Sequence, residues 1–125
     1  MGLFKHKRPP LNTWIRKVDM AYTRAFETMD VSEVAQYMSR PLAMRVFENV
    51  RHGEKEYSGL SRYRSVTWRK AEESGSQVTM LKVVTYNHIK VTRGIIAAVG
   101  ADYIEQWLIS KLQETFEVTD IRRVS

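Results

Sequence analysis

Residues 101–116, ADYIEQWLISKLQETF, support two readings, and the fold follows from the one that holds. Ile104, Leu108, Leu112 and Phe116 recur every four residues, as on one side of a helix. Ile104, Leu108 and Leu112 also lie on one side of a strand whose other side carries Tyr103, Trp107 and Ile109. Periodicity alone leaves both open. The strand is the reading adopted, because a single narrow helical stripe would leave Tyr103, Trp107 and Ile109 badly placed. Gln113-Glu114-Thr115 then serves as a hairpin turn into a further strand over 116–124.

Moving upstream, two sets of residues interleave from Gln77 to Val91. Thr79, Leu81, Val83, Ile89 and Val91 share one face of an extended chain, and Met80, Lys82, Val84, Tyr86, His88 and Lys90 share the other. Residues 62–70 alternate β-branched and aromatic side chains, and Glu73-Ser74-Gly75-Ser76 reads as the turn between these strands. Arg93-Gly94 and Gly100 punctuate a small apolar segment over 95–99, a strand start or a bulge. The expected packing places Leu81, Val83, Ile89, Ile104, Leu108 and Leu112 against helices. Met80, Val84, Tyr86, Tyr103, Trp107 and Ile109 are then left together on the reverse of the sheet, bordered by Lys82, Glu105 and Lys111. An apolar patch of that kind marks an association surface.

The helices precede the strands. Thr13 is placed to cap a helix over 14–29 whose buried stripe is Trp14, Val18, Tyr22, Ala25, Phe26 and Met29, with Arg16, Lys17, Asp19, Arg24 and Glu27 mostly on the other side. Asp30-Val31-Ser32-Glu33 has the form of a capping box opening a short helix through Met38. Pro41 suits the first turn of a third helix, whose apolar stripe is Leu42, Ala43, Val46, Phe47 and Val50, and Gly53 is a natural end for it. Three helices followed by antiparallel strands make an α+β domain over 12–125, behind a flexible basic arm over 1–11.

The 125 residues suffice for one core. Apolar residues at 43% and charged residues at 27% are globular proportions, and the absence of cysteine removes disulfides, thiolate metal sites and cysteine nucleophiles. Net charge is +6, unevenly spread: residues 1–70 carry 14 basic and 7 acidic side chains, a balance of +7, and residues 71–125 carry 6 and 7, a balance of −1. This field suits an anionic partner. Lys5, Lys7, Arg8, Arg64 and Lys70 are the candidate contacts to an anionic membrane surface. A nucleic-acid platform is less favoured, because alternation puts Arg64, Val66, Trp68 and Lys70 on one face of the strand and Tyr63 and Arg69 on the other, separating aromatics from cations.

His6, His52 and His88 lie too far apart for a metal motif, and no Gly-rich phosphate loop or nucleophile elbow occurs. No metal and no cofactor is expected. The basic opening is followed by no apolar run, no window approaches the ~18 apolar residues of a membrane span, and His6 breaks the myristoylation pattern after Gly2. The expected location is the cytoplasm, with a peripheral membrane position as its variant.

The order of elements, with Glu105-Gln106-Trp107-Leu108 and then Phe116-Glu117-Val118-Thr119-Asp120-Ile121-Arg122 as paired last strands, resembles the nuclear transport factor two-like superfamily. Within it, the spacing is similar to the mitochondrial import-motor anchor domain and to the periplasmic domain of a type IV secretion assembly factor, although the latter has a membrane segment not found here. The resemblance implies a curved sheet wrapping the first helix as a cone, and dimers formed through the sheet. It also implies, from ketosteroid isomerase-type and polyketide cyclase-type members, a polar cavity, for which Tyr22, Tyr37 and Asp102 are the candidates, with Glu105 and His88 beside them. None of these matches a catalytic motif of those members. The expected function is therefore a non-catalytic protein-binding or assembly module that homodimerises through the outer sheet face, with a further protein partner and an anionic surface as additional contacts. The alternative is a small-molecule-binding protein or cavity enzyme of the isomerase or cyclase type.

Overall fold

The computed structural model describes residues 8–52, 64–86 and 103–124. Helices α1 (Leu11–Thr28), α2 (Ser32–Ala35) and α3 (Arg40–Arg51) are followed by strands β1 (Arg64–Ser74), β2 (Gln77–Tyr86), β3 (Tyr103–Lys111) and β4 (Phe116–Arg123). The strands form one antiparallel sheet in the order β1-β2-β3-β4, curved and not closed. The domain is α+β, as the element pattern implies, and the decisive stretch over 103–111 is extended.

Each element has a local cause. α1 begins at Leu11, earlier than the Thr13 cap suggests, because Pro10 accepts from the Trp14 amide at 3.0 Å and no side chain caps the helix. It ends on Met29 in the left-handed region, φ 61°. Asp30 Oδ1 then accepts from the Ser32 amide at 2.9 Å and from its hydroxyl at 2.7 Å, folding the turn into α2. Glu33, the other half of the expected capping box, instead pairs with Arg24 of α1 at 3.0 Å. Ser39 caps α3 by accepting from the Leu42 amide, with Pro41 in the first turn. Gly53, expected to end α3, lies outside the described residues.

β1 and β2 meet at Ser74 and Gln77, so Gly75 and Ser76 form a two-residue hairpin loop, and Gly75 takes φ 52° as such a loop demands. β1 runs to Ser74, further than the 62–70 expected, with a bulge between Lys70 and Glu72. On the far side of the sheet the chain between α2 and α3 joins β4 by a parallel bridge: the Val118 amide donates to the Tyr37 carbonyl and the Ser39 amide to the Val118 carbonyl, both at 2.9 Å. The edge of β4 is thereby partly covered, which blunts its capacity to recruit another strand.

The core lies between the helices and one face of the sheet. Trp14, Ile15, Val18, Ala21 and Ala25 of α1, Val34, Met38, and Leu42, Val46 and Val50 of α3 pack on Val78, Met80, Trp107, Ile109, Phe116 and Val118. Phe116 carries the Trp14 ring at 5.2 Å, and Trp14 meets Tyr37 edge-on at 6.2 Å.

The expected sidedness of the sheet is inverted. Met80, Val84, Tyr103, Trp107 and Ile109 are buried on the inner face, whereas Leu81, Val83, Ile104 and Leu108 are half-buried on the outer one, and Leu112 is 41% exposed in the hairpin. Each strand alternates as its sequence implies, but the opposite face meets the helices. Phe47, placed in the buried stripe of α3, is 41% exposed, and Met29 is 55% exposed. Ile89 and Val91 lie outside the described residues.

Met29 occupies a conformation that disfavours a β-carbon by about 1–2 kcal/mol. Met29→Gly is expected to raise stability by about 0.5–1 kcal/mol after the unfolded-state entropy of glycine is counted, read as a higher urea midpoint at unchanged m-value.

Candidate functional site

The inner face of β2 and β3 holds three ionisable side chains among its aromatics. Lys82 and Glu105 are direct cross-strand partners in the β2–β3 register, and Met80 faces Trp107 one step along it. Inward alternation therefore brings Lys82, Glu105 and Trp107 together without any loop. Above them, α1 presents Asp19 and Tyr22, three residues apart and so on the same side of the helix. The Lys82 ammonium lies 2.5 Å from Asp19 Oδ1 and 3.5 Å from Glu105 Oε1. It also lies 5.3 Å from the Tyr22 ring and 5.4 Å from the Trp107 ring, within cation–π range. The Asp19 contact is an ion pair by distance, with angles outside those of a directed hydrogen bond. The Trp107 indole N–H donates to Glu105 Oε1 at 3.2 Å.

All three charges are enclosed: Lys82 has no exposed surface, Asp19 has 6% and Glu105 has 8%. Surrounding rings complete the enclosure. Tyr22 meets Phe26 at 5.2 Å and Trp107 at 5.5 Å, and Trp68 of β1 meets Trp107 at 5.1 Å, all edge-on. Isolated charges in such surroundings would be prohibitively costly, so the pairing is a condition of the packing.

The candidate cavity residues do not assemble as one group. Tyr22 faces the interior beside Lys82. Tyr37 sits at the β4 edge, against Trp14, on the stretch that bridges to Val118. Asp102 and His88 lie outside the described residues. Of the residues expected on an exposed interface, Met80, Val84, Tyr103, Trp107 and Ile109 are core, which corrects that assignment; Tyr86 pairs with Arg64 in the β1–β2 register, and its side chain is outside the description. Lys82 and Glu105, expected at the border of that patch, are the centre of the buried cluster.

The candidate anionic-surface contacts have internal partners where their side chains are described. Arg8 donates to the Leu112 carbonyl at 2.8 Å and lies 5.8 Å from the Phe116 ring. Lys70 donates to Glu73 Oε1 at 2.8 Å. Lys5, Lys7 and the Arg64 side chain lie outside the described residues.

Asp19 is the residue that the sequence reading misplaced. The helical spacing places it on the polar side of α1, yet it is four residues from Ile15 and three from Tyr22, within the buried arc. A lone acid inside an apolar helical stripe, with a lone lysine and a lone glutamate on the aromatic side of adjacent strands, was the available signal.

Two further charge clusters hold the sheet margins. Lys111 and Lys70 both donate to Glu73, tying β3 to β1 across β2 and lowering the Glu73 carboxyl to about 2. At the β4 bulge, burial opposes the Asp120 charge, but Arg45 of α3 at 2.6 Å and Arg122 at 2.8 Å outweigh it and hold the carboxyl below its ordinary value. Arg45 also donates to the Ile121 carbonyl at 2.9 Å.

Among the described residues no group of three or more histidine, cysteine or acidic side chains could hold a metal ion, and no helix is long and apolar enough to cross a membrane. No protein-family model matches the chain, and no curated protein matches it.

Lys82→Met should cost about 3–5 kcal/mol, because it strands two buried carboxylates. Combining it with Asp19→Leu and Glu105→Gln should recover most of that loss, as read from urea melts of the single and triple variants. Glu73 makes a separate prediction. Its folded carboxyl titrates below the ordinary 4.5, so its contribution is present above pH 4.5 and is lost as pH falls toward about 2. Glu73→Gln should flatten the stability profile over that window and leave the slope above pH 5 unchanged.

Proposed function

We propose that the chain is a non-catalytic association module of the nuclear transport factor two-like kind, pairing with a second copy through the outer face of its sheet. The observation that carries this reading is the aliphatic strip on the two central strands. Val83 and Ile104 are direct partners in the register, and Leu81 and Leu108 lie in the next two cross-strand rows, beside Gln106 and Thr79. All four aliphatics are half-buried within the chain itself, and the described helices pack on the opposite face. Central strands normally bury both faces or leave a polar one, so an aliphatic strip here is suited to a second layer.

The rim of the strip favours a second copy over an unrelated partner. The outer row through Leu81 and Gln106 ends in Arg69 on β1 and Arg122 on β4, while Glu72 and Glu117 stand further along the same two strands toward the hairpins. The β1 margin thus carries one cation and one anion, and the β4 margin one cation and two anions, with Arg122 already paired to Asp120. Such a surface is complementary to itself under a two-fold axis, which requires the same patch on both sides.

The interior supports a structural role for its charged groups. Tyr22 and three ionisable side chains do meet inside the fold, as a cavity enzyme would need, but the Lys82 ammonium is sealed by protein on every side. A substrate has no approach to it in this conformation, and the assembly reading is preferred on that ground.

Light scattering coupled to size exclusion is expected to report about twice the 14.6 kDa chain mass at tens of micromolar. Ile104→Glu should return the monomer with an unchanged far-UV spectrum. A wild-type monomer at high micromolar concentration, or an Ile104→Glu variant that stays dimeric, would overturn the proposal.

A further inference from the structure

We infer that the space between α1 and the inner face of β2 and β3 is a receptor for a primary alkylammonium group, occupied in cis by the chain's own Lys82. Two carboxylates and two aromatic faces converge on the Lys82 Nζ: Asp19 at 2.5 Å, Glu105 at 3.5 Å, and the Tyr22 and Trp107 rings at 5.3 and 5.4 Å. This is the donor set by which proteins recognise ammonium ligands, with π faces for the polarised methylene next to nitrogen and carboxylates for the charge.

The groups that build the receptor each have contacts of their own besides Lys82. Trp107 is held by Trp68, by Tyr22 and by its own N–H bond to Glu105. Tyr22 is held by Phe26 on the next turn of α1. Asp19 lies on the same helix as Ile15 and Val18, both fully buried. These contacts favour retention of the site when the occupant is shortened, and its donor set selects for a chemical class. A neutral alcohol of equal length donates one hydrogen bond and neutralises neither carboxylate, whereas a primary ammonium brings three donors and the charge.

Lys82→Ala makes the test specific, since it removes the three methylenes and the nitrogen that together correspond to n-propylammonium. Thermal and urea melts of Lys82→Ala are followed in n-propylammonium chloride, in 1-propanol, and in sodium chloride at matched ionic strength, beside the wild type. The inference expects a saturable stabilisation of the variant by the amine alone. Above the dissociation constant, each tenfold rise in amine should raise the folded-to-unfolded ratio about tenfold. The wild type, whose site is filled, should not respond beyond the salt control. A response to 1-propanol equal to that of the amine would mean simple cavity filling and would overturn the inference, as would no response of the variant to the amine.

If Lys82→Ala does not fold alone, the same arms are read as recovery of the folded signal on dilution from urea. Nuclear magnetic resonance of the wild type gives an independent reading. The Lys82 ammonium protons should be protected from exchange at neutral pH, and its ε-methylene should be shifted upfield by the two rings. A lysine spectrum with every ammonium in rapid exchange and no upfield ε-methylene would overturn the inference whatever the variant does.

Discussion

The contact on which the rest of this structure depends is the Lys82 ammonium held between Asp19 and Glu105. It joins α1 to two adjacent strands through charges that have almost no access to water. A hydrophobic interface alone tolerates sliding, because one aliphatic contact replaces another at little cost. A buried ion pair does not, since displacing either partner leaves a charge unsolvated. The cluster therefore disfavours sliding of α1 along the sheet, beside the ring contacts of Trp14 on Phe116 and of Tyr22 on Trp107.

That choice of inner face decides what remains outside. Once Val78, Met80, Trp107 and Ile109 are committed to the helices, alternation obliges Leu81, Val83, Ile104 and Leu108 to face the other way. The two margins of the sheet are treated differently. β4 receives the bridge from the α2–α3 connection and the Arg45 contact at its bulge, so α3 is fastened to the edge. β1 is stiffened by the Lys111 and Lys70 contacts to Glu73 and interrupted by its bulge, which together leave it a poor template for another strand. The proposed pairing accordingly rests on the broad outer face and not on a strand edge.

Much of the fold was legible in the residues. The three helices, the hairpin at Gly75, the extended reading of 103–111 and the grouping of Met80, Lys82, Val84, Tyr103, Glu105, Trp107 and Ile109 on shared faces all follow from spacing and turn chemistry. The site was legible only in pieces. Lys82 and Glu105 stood on the aromatic side of their strands, and charges in that position read naturally as the rim of an exposed patch. They are its buried centre because each supplies what the other needs, and Asp19 supplies the remainder from a helix some sixty residues away in the chain.

Local spacing thus determined which side chains travel together, because the periods of helix and strand are properties of the backbone. It did not determine which of two apolar sheet faces meets the helices, since one carries an aliphatic strip and the other aromatic and aliphatic side chains, and either pattern can form a core. Only the tertiary structure decided that. The face bearing Lys82 and Glu105 could be buried once Asp19 came within reach of the ammonium, a pairing across distant segments that no local pattern encodes.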